Sequence, residues 1–559
     1  MSAVRCKGGR CAALFCAVSL GLSCVALAGA ARAADIIYYS QDTIVLNSGT
    51  ATLADIHKAV NNPSVLSKTS DELLGDDEYV LTANMKVNAS AILIIDGCTL
   101  KFNEPSHNKY GLSNYGEVKI SKATLTSSTG NAWYMNNDRK AKLLMDMVDI
   151  SKCGQGTQIG ISYFPSAPVT WNKVKFHDNL GHCMLQVGDG GGSLMTIADS
   201  QFYNLDITHY PALDLSCAVV RNSKFHDISG SAPNAGVIIA WAHGGSVYDS
   251  EFYKIQTKSL FYAKECSGGS VFQNNHIHDV KVGSLLGFYG STWTNPVIFR
   301  DNVIENSAID RICYWRANQY QSGVSLISQF YNNTIRNCGT SSLAFHSGGR
   351  NCRIWNNKVY SSTLNFTADY NRGQAGGSRY RPGDSAGSIM YDMELDKIHI
   401  RDLDQPADQS KRGKMFPFVN VKHNSVTVDM PDDEFHDYKY LDVKVVDRGN
   451  NPVKGVTVTV SNNTDGAYPP INLYRKAKIS FTTGADGHTP LPSELEDTAA
   501  ILDFWKTGAA EKQMAYTITA SSGGKTASVA DVNPDGSWYR SDPKVPVKTI
   551  LIQLDITVP

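Results

Sequence analysis

The chain has 559 residues, 42% of them hydrophobic, and 52 basic side chains against 53 acidic ones, for a formal net charge of −1. That length and apolar content can bury a large core and leave room for more than one domain, which excludes a disordered protein. The lack of net positive charge argues against a nucleic-acid partner.

In chain order, Arg5, Lys7 and Arg10 precede an apolar run from Cys11 to Ala31 and the small-x-small stretch Ala31-Arg32-Ala33, the pattern of a cleaved export signal. Gly21 stands where a lipoprotein signal ahead of Cys24 wants Leu, which argues against lipidation. Removing residues 1–33 takes away Arg5, Lys7, Arg10 and Arg32 and no acid, moving the formal charge from −1 to −5. No later apolar stretch is long enough to span a bilayer. The mature chain is therefore expected to be secreted, periplasmic or at the cell surface.

Residues 34–95 are expected to form an N-terminal cap in which Thr52–Val60 reads as a short amphipathic helix, able to cover the open end of a stack. Beyond it an internal repeat sets in. A Ser or Asn and, after one intervening residue, an apolar residue recur as Ser200/Phe202, Ser223/Phe225, Ser250/Phe252, Asn275/Ile277, Asn302/Ile304, Asn333/Ile335 and Asn357/Val359, with earlier apolar anchors at Leu100, Leu125, Ile150 and Phe176. The anchors are 25, 25, 26, 26, 23, 27, 25, 27, 31 and 24 residues apart. Each step has room for three short strands and three turns, so that every strand can pair in parallel with its copy about 4.8 Å above and below. A recurring Ser or Asn can then hydrogen-bond along the stack and satisfy buried backbone groups. Two-residue Asn-Gly or Asp-Gly turns, which a run of hairpins would need, are scarce.

The expected fold is all-β: a right-handed parallel β-helix of about a dozen coils over residues 96–436, an N-terminal capping helix, and a C-terminal β-sandwich over residues 437–559. The runs Val271-Phe272-Gln273-Asn274-Asn275-His276-Ile277 and Ile354-Trp355-Asn356-Asn357-Lys358-Val359 resemble the repeat of pectate-lyase-like right-handed β-helix proteins, and the resemblance covers roughly residues 95 to 430. That superfamily includes polysaccharide lyases, epimerases, glycoside hydrolases, phage tailspikes and adhesins, so the resemblance implies a fold more firmly than a function. The Gly-, Arg- and Tyr-rich stretch Asn371–Ser388 reads as a long projecting loop. From Tyr440 the alternation of Tyr440–Asp447 and Asn451–Val460 resembles the small sandwich of carboxypeptidase-regulatory-like domains. Asn463-Thr464-Asp465-Gly466 spells a polygalacturonase motif, but with no paired Asp or Gly-His-Gly after it the motif reads as a turn.

The resemblance implies a substrate groove along the first strand of successive coils, at Ala212–Cys217, Ile238–His243, Leu260–Glu265, Leu285–Gly290, Ile312–Ala317 and Leu343–Gly348. With Leu213/Leu215, Ile239/Trp241, Phe261/Ala263, Leu286/Phe288, Cys313/Trp315 and Leu343/Phe345 taken as inward, one outward column reads Ser216, Ala242, Lys264, Tyr289, Arg316, His346. A second reads Asp214, Ala240, Tyr262, Gly287, Tyr314, Ala344. Lys264, Tyr289, Arg316 and His346 are the candidate catalytic residues, suited to an acidic polysaccharide. Arg316 could pair with a uronate carboxylate, Lys264 or ionised Tyr289 could abstract the neighbouring proton, and His346 or a tyrosine could protonate the leaving oxygen. Asp214, Tyr262 and Tyr314 are the candidate substrate-binding residues.

A glycoside hydrolase would need two carboxyl groups flanking one bond, and the groove offers only Asp214 and Glu265, two coils apart and out of phase. A non-catalytic glycan-binding surface protein is the other alternative. No cofactor is assigned: calcium stays open but no carboxylate cluster supports it, since it wants several oxygens, and a zinc site at His177, His182 and Cys183 lacks a second ligand set. Without a C-x-x-C, most of the eight cysteines beyond residue 33 read as small core residues, with pairing left open.

Overall fold

The repeat works through a side chain that closes the backbone of the coil before it. In the computed structural model Ser200, Ser223, Ser250, Asn275, Asn302, Asn333 and Asn357 are all buried. The Ser200 amide donates to Ser223 Oγ at 3.2 Å, Ser223 to Ser250 Oγ at 3.1 Å, and Ser250 to Asn275 Oδ1 at 3.0 Å. Asn275, Asn302 and Asn333 each donate in the same way to the Asn of the next coil, at 2.9–3.0 Å. The residue before each of these turns into the left-handed region, and it is always Asn or Asp (Asp199, Asn222, Asp249, Asn274, Asp301, Asn332 and Asn356), the residues that tolerate it best. Outside the stack these polar side chains join neighbouring coils, as where Asn332 Nδ2 donates to Asp301 at 3.0 Å and Asn356 Nδ2 to Asn332 at 2.8 Å.

The structure describes residues 34–557 apart from 40–41, 71–76, 155–158, 182–184, 188–194, 208–210, 216–217, 231–235, 242–243, 265–268, 290–296, 317–328, 339–342, 346–352, 370–382, 385–388, 403–414, 430, 432, 465–467, 474–475 and 493–496. The expected export signal, His346 and nearly all of the expected loop after Asn371 lie outside the described residues.

The anchors stack in register. Leu100 pairs with Leu125, and the ladder continues through Ile150, Phe176, Phe202, Phe225, Phe252, Ile277, Ile304, Ile335, Val359 and Leu395 to His423, every step parallel. Strand–turn–strand connections between parallel neighbours are almost always right-handed, which fixes the sense of the winding. Inside the coils Phe176, Phe202, Phe225 and Phe252 stack face to face at centroid distances of 5.0, 4.7 and 4.5 Å, each contact adding roughly 0.5–1.5 kcal/mol beyond area burial.

The helix expected near residue 52 spans Leu53–Val60, with Thr52 and Asp55 forming a reciprocal capping box, and Leu53 and Ile56 buried in the main core. Parallel stacking begins earlier than residue 96, because Thr43–Thr52 already pairs in parallel with Asn84–Asp96, which in turn pairs with Gly111–Asn114 and Glu117–Ser121.

At the other end the expected boundary at residue 437 falls inside a strand. Glu434–Tyr440 pairs in parallel with Met415–Val428 and antiparallel with Ala500–Lys506, so the helix sheet runs on into the C-terminal region. Beyond it lie a parallel pair, Val443–Val446 with Ile550–Gln553, and an antiparallel sheet in the order Ser480–Thr482, Thr457–Asn462, Tyr516–Ser522, Lys525–Val532. Their buried residues form a second core that also takes in Tyr391 and Val419 from the last coils. Thr464 lies just past Thr457–Asn462, its amide donating to Asn462 Oδ1 at 2.8 Å and its hydroxyl accepting from the Ala515 amide, while Asp465 and Gly466 of the motif lie outside the described residues.

Candidate functional site

On the first strand of each coil the register is explicit. Leu213, Ile238, Phe261, Leu286 and Cys313 are successive partners, and the first four are buried. One residue further on, Asp214, Ile239, Tyr262, Gly287 and Tyr314 form the next column. Trp241, Lys264, Tyr289 and Arg316 form another in the same phase. The register thus brings Lys264, Tyr289 and Arg316 into line on consecutive coils, with Tyr262 and Tyr314 beside them. It also corrects the expectation for one coil, where Ile238 and not Ile239 shares the inward phase and Trp241 stands in line with Lys264. Val237-Ile238-Ile239-Ala240-Trp241 is apolar throughout, so alternation there carries no phase.

His346, expected next in this column, lies outside the described residues. Between Arg311–Arg316 and Leu343–Phe345 the register is irregular, with Ala344 opposite Arg311 and Phe345 opposite Cys313. The step between these coils, from Ile304 to Ile335, is the longest of the set at 31 residues. Asp214 has the outward phase but is only 6% exposed. Tyr262 leans over the next coil: a Cβ on Gly287 would stand 2.6 Å from its Cδ2, so only glycine fits under the ring. At the upstream end of the same strands a cleft of about 430 Å³ crosses five coils. It is lined by Asp206, Ser229, Gln256, Lys281 and Ala308, which are successive register partners, together with Lys258 and Asp310.

A second row of polar residues follows the buried anchors. His177, Tyr203, His226, Tyr253 and His278 stack face to face at 4.7, 5.1, 4.8 and 5.3 Å, with interplanar angles of 10° or less. Each imidazole is held by the carboxylate that follows it: His177 Nδ1 meets Asp178 at 2.7 Å, His226 Nδ1 meets Asp227 at 2.7 Å, and His278 Nδ1 meets Asp279 at 2.8 Å. His177 Nε2 also meets Asp149 at 2.6 Å, a bond that raises its pKa against the opposing pull of burial. Burial on its own would lower the pKa of His278, but Asp279 and Glu251 raise it. Because the rings cover one another's faces, the row offers polar edges rather than an aromatic platform for sugars. Sequence reasoning missed it, although every member stands directly after a repeat anchor.

At the end of this row Glu251, His276 and His278 place ligand atoms within 4.8 Å of one another, a clustered His set where none was expected. Glu251 is also bound by Lys224 at 2.9 Å, which holds its carboxyl below the usual range. Near the C-terminal junction, Lys439 and Asp437 form a buried pair at 2.9 Å. The buried Asp503 in the same 240 Å³ pocket has its pKa pushed up to about 8 by burial and by Asp437, against the pull of Lys439. Cys153 and Cys338 are buried thiols, pushed up to about 12 and about 11 by desolvation.

Residues 159–323 match the family model described as a right handed beta helix region, so the chain contains such a region, as its register indicates. Among solved structures it is similar to the periplasmic alginate epimerase AlgG, at 14% identity over 70% of this chain and 83% of that one, with a TM-score of 0.30. It is also similar to a double mutant of the tailspike protein of E. coli bacteriophage HK620, at 10% identity over 78% and 86% of the chains, with a TM-score of 0.30. A third similar structure is an exopolygalacturonase from Thermotoga maritima, at 9% identity over 73% and 92%, with a TM-score of 0.27. No curated protein matches the sequence. Among the described residues no helix is long and apolar enough to cross a membrane.

Proposed function

We propose that this chain is an exported carbohydrate-active β-helix protein that acts on an acidic, uronic-acid-containing polysaccharide by β-elimination or epimerisation. The observation that carries the reading is the register of Lys264, Tyr289 and Arg316 on three consecutive coils, about 4.8 Å apart per step, a spacing comparable to that of a sugar ring. Both reactions begin by removing the proton beside the sugar carboxylate, and both need a cation for the charge that grows there. Arg316 meets the carboxylate through its two-pronged guanidinium. Lys264, or an ionised Tyr289, is the base. In elimination the proton for the leaving oxygen comes from His346 or a tyrosine of the column, and in epimerisation the same group returns a proton to the carbon from the opposite face. Tyr262 and Tyr314 flank the sugar, and the cleft at the upstream end of these strands extends the binding surface. A net acidic chain that gathers Lys and Arg in one line reverses its own field where an anion docks.

The mixed lining of that cleft, Asp206 and Asp310 with Lys258 and Lys281, favours a second reading, a non-catalytic glycan-binding protein. Binding of anionic and neutral polysaccharides to Arg316→Ala and Arg316→Lys separates the two. On the first reading Arg316→Ala lowers turnover on the anionic glycan by about 10²–10³-fold, on the scale of one lost oxyanion donor, and Arg316→Lys restores part of it. Full binding and turnover by Arg316→Ala would overturn that reading.

A further inference from the structure

His276 and His278 are alternate residues of one strand, so both side chains leave the same face. The register sets Glu251 of the preceding coil opposite His276 and Tyr253 opposite His278. Asp279 takes up Nδ1 of His278, leaving Nε2 turned toward Glu251 Oε1 at 3.3 Å. Tyr253 stacks on that ring and fixes its plane. The His276 ring lies 4.5 Å from that of His278, and its Nε2 contacts Glu305, which is itself held by Arg336.

We propose that Glu251, His276 and His278 form a binding site for a first-row transition metal ion, zinc by its chemistry, with coordination positions left open toward solvent. Two imidazole nitrogens and one carboxylate oxygen are a donor set that zinc takes when a position is kept for water or another ligand. Calcium, which wants six to eight oxygens, is poorly served by it. Bonds of about 2.0–2.2 Å in tetrahedral geometry put ligand atoms roughly 3.4 Å apart. Closing in from within 4.8 Å therefore takes only side-chain rotation, with His276 exchanging Glu305 for the ion. The side chain of His276 is 44% exposed, so the ion has a way in. The carboxylate of Asp279 on the far nitrogen of His278 sets the tautomer that presents Nε2, the arrangement that makes an imidazole a better ligand. Both rings bind metal as neutral imidazoles, so uptake releases protons and weakens as the pH falls.

Calorimetric titration of the tag-free full chain with Zn²⁺, with Co²⁺ as a visible-light reporter of the same site, tests the proposal. One equivalent should bind. Glu251→Gln, which keeps size and shape, and His278→Ala should each remove that equivalent, and Asp279→Asn should weaken it roughly 10–100-fold. His226→Ala, two rings back along the same row, should leave it unchanged. Absence of a stoichiometric equivalent in the parent chain, or affinity equal to the parent's in Glu251→Gln or His278→Ala, would overturn the site.

Discussion

Asn302 illustrates how one side chain holds two coils together: its Oδ1 accepts from the Asn275 amide while its Nδ2 donates to the Phe272 carbonyl and to Asn333. Asn302→Ala leaves a buried amide and a buried carbonyl unpaired, at a cost of about 1–3 kcal/mol for each such group. Asn302→Ser keeps an acceptor of the kind that Ser200, Ser223 and Ser250 supply in earlier coils. Urea unfolding should rank the parent first, Asn302→Ser next and Asn302→Ala last. Much of this scale was legible in the sequence, because the Ser/Asn column recurs at the coil period. The His177–His278 row was legible too, as the residue after each anchor. The Glu251–His276–His278 cluster was harder to read, because it joins residues 25 apart that only the parallel register sets side by side.

At the scale of the strand, phase is readable where apolar and polar residues alternate, and fails where they do not. Phe261-Tyr262-Ala263-Lys264 alternates, and its expected phase agrees with the register; the uniformly apolar run at Val237–Trp241 slipped by one residue. Strand Glu434–Tyr440 belongs to both parts of the molecule, which sequence reading divided at residue 437. A fragment starting at Asp433 should therefore unfold cooperatively, whereas one starting at Asp442, which strips Ala500–Lys506 of Glu434–Tyr440 and leaves it only the short strand Glu511–Gln513, should be less stable or fail to fold. Equal stability of the two fragments would show that the shared strand contributes nothing to the C-terminal unit. The same junction carries a pH dependence. The Asp503 pKa is raised from 3.8 to about 8, so the folded form binds this proton more tightly than the unfolded form. Its contribution to stability therefore declines as the pH rises from about 4 to about 8 and is level above that. Asp503→Asn should raise the thermal midpoint at pH 8 and change it little near pH 4, as scanning calorimetry at the two pH values will read.

Across the whole molecule, the solenoid turns a one-dimensional repeat into columns, so that residues about 25 apart in sequence become neighbours at about 4.8 Å. That geometry gives Lys264, Tyr289 and Arg316 their common line. The 31-residue step between Ile304 and Ile335 coincides with a register irregularity between Arg311–Arg316 and Leu343–Phe345, since an irregular coil does not announce how its excess is absorbed. The most direct measurement is proton NMR of a panel of uronic-acid polysaccharides incubated with the chain lacking residues 1–33. The account predicts, for at least one of them, new vinylic signals of an unsaturated uronate or a changed ratio of epimeric anomeric signals, both lost with Arg316→Ala. No change in any anionic polysaccharide, together with the same weak binding to all of them, would contradict it.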